Sequence, residues 1–293
     1  MQTLITADEL HSLLGSAEPP HVLDVRWRLD QPDGSADHRA GHIPGAVYVD
    51  LDHELSDHGR PAVAGRHPLP RHETLQQAAR RWGLLPGRTV VVHDDLRNLA
   101  AARAWWLLRR AGVRDVRVLD GALEAWRRAG LPLEEGDVRP EPSTIRLQDP
   151  QRDVTDTAAA AAVDLESVRD LSSRLSQGLP ADAVLLDVRA PERFRGEHEP
   201  IDPRAGHIPG ARNLPTAGNV DAAGRFLTPQ ALRERLLAAG ADDHRPVVSY
   251  CGSGVNAAHA TLAAHLAGFD AVLYPGSFSQ WSQHAELEVA VGE

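Results

Sequence analysis

The stretch PVVSYCGSGVNAAHATLAAHLAG, residues 246–268, holds a complete structural sentence. Val247–Tyr250 is a short β-rich run, apolar but for Ser249, of the kind found in strands covered on both faces. Ala257–Ala267 reads as a helix, closed by Gly268 where a helix C-terminus favours glycine. Between them lies Cys251-Gly252-Ser253-Gly254-Val255-Asn256. Strand, glycine loop and helix in that order predict an α/β fold with a parallel sheet. Ligands in such sheets bind beyond the carboxyl ends of the strands, so this loop is the first candidate site.

Outward from it the same grammar recurs. Val22–Val25, Val90–Val92, Val116–Leu119, Val184–Val188 and Ala271–Tyr274 read as strands. Leu75–Trp82, Leu99–Ala111, Leu123–Ala129 and Pro229–Ala239 read as helices. The chain also repeats itself. VLDVR at 22–26 returns as LLDVR at 185–189, and GHIPGA at 41–46 returns at 206–211. VVVHDD at 90–95 is echoed by VVSYCG at 247–252, and GALEAW at 121–126 by GSFSQW at 276–281. The order is kept while the offset drifts from 165 to 155. Two copies of one domain are therefore expected, at 1–138 and 164–293. The proline-rich stretch 139–163 joins them as a linker.

Composition agrees. At 293 residues the chain is about two domains long. It has 31 basic and 41 acidic residues, a net charge of −10, which argues against sequence-independent nucleic-acid binding. No apolar run approaches the roughly 20 residues needed to span a bilayer. The start, MQTLITADELHSLL, has neither a basic nor an apolar signal region, so the expected location is the cytoplasm. The single cysteine excludes an intramolecular disulfide and a multi-cysteine zinc site.

That cysteine stands at a strand's carboxyl end and before a helix. Gly252 and Gly254 let the loop turn backbone N–H groups inward, and the helix dipole adds to them. A thiolate is stabilised in such a setting. The plain alternative is a buried cysteine serving as a small apolar residue. Its placement, and Asp94 at the matching position of the first copy, favour chemistry in one copy and loss of it in the other.

Together these residues resemble the two-domain rhodanese family of sulfurtransferases. The resemblance covers nearly the whole chain. It rests on DVR and GHIPGA in both halves, the Cys251 loop, and the closing Gly276–Trp281 motif. It implies two tandem rhodanese-like domains, each a parallel sheet with helices on both faces. It implies an inactive first domain and a ping-pong reaction through a Cys251 persulfide, with no metal or organic cofactor. The loop, with Gly252 and Ser253 in place of basic residues, is similar to the 3-mercaptopyruvate type. Asn256 departs from that type's threonine. Thiosulfate is the alternative donor, and the acceptor is cyanide or a thiol, with a reduced thioredoxin as one such thiol.

The resemblance also implies site residues. Gly252, Gly254, Val255 and Asn256 form the binding loop. Arg193 aligns with a substrate-binding arginine, and Arg204 lies near a second. Arg195 is expected to be exposed. Ser253, His42 and an aspartate, Asp37 or Asp33, are the expected proton relay, although a structural role for His42 is weighted equally. His207 is expected to shape a turn, Asp24–Arg26 and Asp187–Arg189 to be structural ion pairs, and Trp281 to border the pocket. Two rivals stand beside this reading. A cysteine-dependent phosphatase needs an arginine where Ala257 stands. A persulfide carrier keeps the cysteine without turnover of its own.

Overall fold

The computed structural model describes residues 2–150 and 160–293. In the first half these are β1 (Leu4–Ile5), α1 (Ala7–Leu14), β2 (His21–Asp24), α2 (Ser35–Ala40), β3 (Val47–Tyr48), α3 (Leu51–Glu54), α4 (His72–Arg81), β4 (Val90–His93), α5 (Ala101–Arg110), β5 (Val116–Leu119) and α6 (Ala122–Arg128). In the second half follow β6 (Ala161–Ala162), α7 (Leu165–Ser176), β7 (Val184–Asp187), α8 (Pro191–Phe194), β8 (Arg212–Asn213), α9 (Pro229–Ala238), β9 (Val247–Tyr250), α10 (Val255–Leu266), β10 (Ala271–Leu273) and α11 (Ser277–Trp281). Among the described residues, no helix is long and apolar enough to cross a membrane.

Two five-stranded sheets result, in the orders β1-β5-β4-β2-β3 and β6-β10-β9-β7-β8, with every pair parallel. The expected α/β architecture and its duplication are both present. Val90, Val91 and Val92 are buried because both sheet faces are covered. Val22 and Val91 pack with Leu10 of α1 and with Leu123 and Trp126 of α6. The alternating residues Leu23, Val90, Val92 and Val118 are buried as well, and α5 lies against β4 and β5. Each fully buried aliphatic side chain of this kind contributes roughly 1.5–3 kcal/mol of transfer free energy.

The repeated motifs prove to be one staple used twice. Asp24 and Asp187 each hold an arginine two residues on, at 2.8 Å for Arg26 and 2.6 Å for Arg189. Those guanidinia donate to the carbonyls of Gly41 and Gly206, both at 2.6 Å. The histidines that follow, His42 and His207, bridge Glu134 and Ala290 through their backbones. Ile43 and Ile208 are fully buried behind them. DVR and GHIPGA thus tie a strand end to a turn, and both histidines do the same work in the two copies.

The compact units are not contiguous in sequence. The described residues 2–57, 69–150 and 220–226 form one, and 58–68, 160–219 and 227–293 form the other. Residues 58–68, counted with the first domain on sequence, belong to the second unit. Part of the expected linker is fixed to the first unit. Ser143 N–H donates to Arg80 O, Leu147 N–H to Gln76 Oε1 and Gln148 N–H to Ala111 O. Of the alanine run at 158–162, Ala161–Ala162 is an edge strand on β10, and 158–159 lie outside the described residues.

Candidate active site

The chain runs β7 to β8 toward one edge of the second sheet, then returns to place β9 on the other side of β7. Such a reversal opens a crevice at the carboxyl ends of the two central strands. Cys251 is the first residue beyond β9. Gly254, at φ +83°, closes the loop and caps α10, and a Cβ there would lie 2.3 Å from the Pro275 carbonyl oxygen. Only glycine meets both demands. The Gly254 N–H donates to Cys251 Sγ at 3.1 Å.

The loop's other side is fixed by Ser277, which holds the left-handed conformation at φ +53°. Its hydroxyl accepts from the Cys251 N–H at 3.1 Å and donates to Tyr274 O at 3.0 Å. The same oxygen lies 4.0 Å from Sγ. Phe278 N–H donates to Cys251 O, and Ser279 N–H to Gly252 O. A non-glycine residue at positive φ costs about 1–3 kcal/mol and persists only where its surroundings enforce it. Here the strain holds a hydroxyl beside the thiol. Cys251 is buried among polar loop atoms and makes no disulfide.

Ser253 is 8% exposed, and its Oγ lies 2.8 Å from Nδ1 of His67, itself 4% exposed. The expected relay through His42 and Asp37 is corrected here. His42 is wholly buried in the first unit, stacked on His38 at 4.0 Å, with Nδ1 on the His38 carbonyl oxygen at 2.8 Å. It is the counterpart of His207, which stacks on Phe194 at 3.7 Å and bonds that residue's carbonyl oxygen. Desolvation pushes His207 below its ordinary pKa, so it stays neutral. Asp37 is half exposed and accepts from Gln31 Nε2, while Asp33 accepts from the Ser35 N–H.

Arg193, in α8, lies by the loop. Its Nη1 would be 3.4 Å from a Cβ on Gly252. It is held by Glu199 at 2.6 Å and by Asp202 at 3.1 Å. Arg204 is elsewhere: its guanidinium donates to the carbonyls of Trp281, Ser282, His284 and Leu287 and so clasps the C-terminal segment. Four of its five N–H groups are spent on backbone carbonyls, which turns it to the C-terminal segment and not to the loop. Arg195 pairs with Glu197 near the surface, as expected. Trp281 is 2% exposed, belongs to the second core and donates Nε1–H to Glu288 O. Val255 is buried under the loop, and Asn256 faces solvent from the first turn of α10.

Two residues escaped the sequence reading, Arg66 and His67. Their signal was faint but present. The repeat offset falls from 165 to 157 between GHIPGA and the next strand. The first copy therefore carries extra residues there, and the arginine and histidine sit among them.

The first unit's equivalent loop shows what the missing cysteine leaves behind. Leu123 N–H donates to Asp94 O as Phe278 N–H does to Cys251 O, and Ala122, at φ +58°, stands where Ser277 stands. Arg97 and Asn98 are both left-handed and curl the loop inward. The Asp94 carboxylate fills it, accepting from the N–H groups of Leu96, Asn98, Ala100 and Ala101 at 2.7–3.1 Å. Complete burial pushes this carboxyl up to about 6 against the pull of those four donors. The loop gives the Cys251 sulfur one N–H in the second unit and the Asp94 carboxylate four in the first.

Comparison with known proteins agrees with this architecture. The rhodanese-like domain family matches residues 6–129 and 167–284. A putative thiosulfate sulfurtransferase, SseB of Mycobacterium tuberculosis, is 45% identical over 99% of this chain and 98% of its own length. A probable 3-mercaptopyruvate sulfurtransferase of Pseudomonas aeruginosa is 43% identical, again over 99% and 98%. The crystal structure of SseA from Escherichia coli, described as a 3-mercaptopyruvate sulfotransferase, superposes with a TM-score of 0.79. It is 32% identical, and the match covers 95% of this chain and 99% of that one. With one profile matching both halves and relatives alike from end to end, this chain belongs to the rhodanese-like family.

Proposed function

We propose that this chain is a sulfurtransferase that takes sulfur from 3-mercaptopyruvate onto Cys251 and passes it to a thiol or to cyanide. The observation that carries the reading is the position of Cys251 Sγ. It receives the Gly254 N–H and lies in the same short loop as Ser253, which pairs with His67.

The steps follow from the chemistry. The Cys251 thiolate attacks the donor's sulfur, and the bond between that sulfur and the donor's CH₂ carbon breaks. The electron pair leaves on carbon as the enolate of pyruvate, which needs a proton. Ser253, in hydrogen-bond contact with His67, is placed to deliver it, and His67 can restore the serine's proton. The outer sulfur remains as a persulfide. An acceptor thiolate then attacks it and regenerates the Cys251 thiolate. A reduced thioredoxin supplies such a thiol, and the cytoplasm is the compartment where this thiol stays reduced.

Gly252 and Ser253 add no cation to the loop itself, which favours a donor whose carboxylate is gripped from outside it by Arg193. The test is a side-by-side measurement of kcat/KM for 3-mercaptopyruvate and thiosulfate, with cyanide as acceptor. The larger value is expected for 3-mercaptopyruvate. A large preference for thiosulfate overturns the donor and leaves the reaction class in place.

A further inference from the structure

Arg66 is held as firmly as a residue of the core, though it lies on a connecting segment. Its N–H donates to Ser279 Oγ at 3.0 Å. Its neighbour Gly65, at φ +93°, runs so close that a Cβ would lie 2.9 Å from the Gly276 carbonyl oxygen. Gln280 Nε2 donates to Val63 O at 3.3 Å. The segment is thus fastened along the start of α11.

The guanidinium is used unevenly. Nη1 donates to Asp202 Oδ1 at 2.9 Å. Nη2 would lie 3.0 Å from a Cβ on Gly252. Nε is buried and has no hydrogen-bond partner among the described residues. Nε and Nη2 form one edge of the fork, the edge that grips a carboxylate with two parallel hydrogen bonds. The other oxygen of Asp202 accepts from Arg193 Nη2 at 3.1 Å, and Arg193 Nη1 points at the same Gly252. One buried carboxylate therefore spaces two guanidinia. Both turn toward the residue that follows the nucleophile, where a Cβ would press on Arg66 Nη2 at 3.0 Å and touch Arg193 Nη1 at 3.4 Å.

We propose that Arg66, set edge-on by Asp202, is the second cation of the donor seat and fixes a carboxylate beside Cys251, the place sequence reasoning gave to Arg204. Arg66 is a specificity-determining residue in this account and Asp202 its positioning residue. The inference rests on the sulfurtransferase reading for the identity of the donor, but not for the existence of the anion seat.

Alkylation separates the two. The chain has one cysteine, so iodoacetate and iodoacetamide report on Cys251 alone. The first carries a carboxylate and the second a neutral amide of the same shape. In the full-length protein the ratio of the two rates is expected to fall roughly tenfold or more in Arg66→Gln, the scale of one charge-assisted hydrogen bond. The iodoacetamide rate is expected to stay within about twofold. Arg66→Lys keeps the charge without the fork and is expected to fall between, which covers the case in which the glutamine variant fails to fold. With 3-mercaptopyruvate, Arg66→Gln is expected to raise KM with kcat nearly held. A native ratio in both variants overturns the seat, as does an equal loss of both alkylation rates, which would mark Arg66 as shaping the loop only. If the native chain transfers no sulfur while its ratio still depends on Arg66, the seat stands and the sulfurtransferase reading falls.

Discussion

Ser253 and His67 meet at 2.8 Å with both side chains nearly removed from solvent. Acting as the proposed proton relay, such a pair contributes about 10²–10⁴-fold to a rate. Ser253→Ala and His67→Asn are each expected to lower turnover of 3-mercaptopyruvate within that range. The double variant is expected to lose little more than either alone, because the two act as a unit. Steady-state kinetics of the four proteins checks this. His42 offers the control: its ring nitrogen holds a backbone carbonyl in the first core, so His42→Asn is expected to lower thermal stability more than turnover. Asp94 makes a pH prediction. Its folded pKa, about 6, lies above the ordinary 3.8 because of burial. Between those values the folded state keeps a proton that the unfolded state has lost. The group therefore adds stability as pH falls from 6 toward 4 and loses it as pH rises back through 6. The stability difference between the native chain and Asp94→Asn is expected to decline by on the order of 1–3 kcal/mol from pH 4 to 7. Urea titrations across that range measure it, and a rise would refute the assignment.

At the scale of elements, the turn from β9 into α10 depends on one glycine. Gly254→Ala forces a methyl group to 2.3 Å from a carbonyl oxygen at a positive φ. It is expected to destabilise the second unit by about 2 kcal/mol or more and to slow sulfur transfer as the loop shifts. Differential scanning calorimetry and kinetics read the two effects. This element was legible in the sequence for physical reasons. A strand buried on both faces must be mostly apolar, as β9 is but for Ser249, and α10, with nine of its twelve residues buried, must be mostly apolar and small. The capping box at Thr6 and Glu9 and the N-cap Asp164 mark α1 and α7 just as plainly once looked for. The two-residue strands β3 and β8 leave no periodicity to read, and their existence follows only from the pairing with β2 and β7. Arg204 was misplaced for a related reason. Proximity along the chain to a binding motif says nothing of direction, and its guanidinium turns to four carbonyls 77–83 residues away.

At the scale of the molecule, duplication explains both what was legible and what was not. Motifs shared by the copies, the aspartate–arginine staple and the histidine turn, are structural, and their recurrence announces the fold. The chemistry proposed above lies where the copies differ: Cys251 against Asp94, Ser277 against Ala122, and the extra residues 58–68 that join the second unit. A repeat alignment has nothing to match to that segment, so His67 and Arg66 stayed invisible while His42, in a matched motif, drew attention. Replacing residues 58–68 with a glycine–serine stretch of equal length is expected to abolish turnover while far-ultraviolet circular dichroism stays native-like, since neither sheet draws a strand from it. In the proposed reaction Cys251 carries the transferred sulfur. Intact-protein mass spectrometry after reaction with 3-mercaptopyruvate, without acceptor, tests it most directly. The native chain is expected to gain the mass of one sulfur atom, lose it on adding cyanide, and gain nothing as Cys251→Ser. A native chain that turns over donor without that gain, or a serine variant that acquires the same mass, would contradict the account.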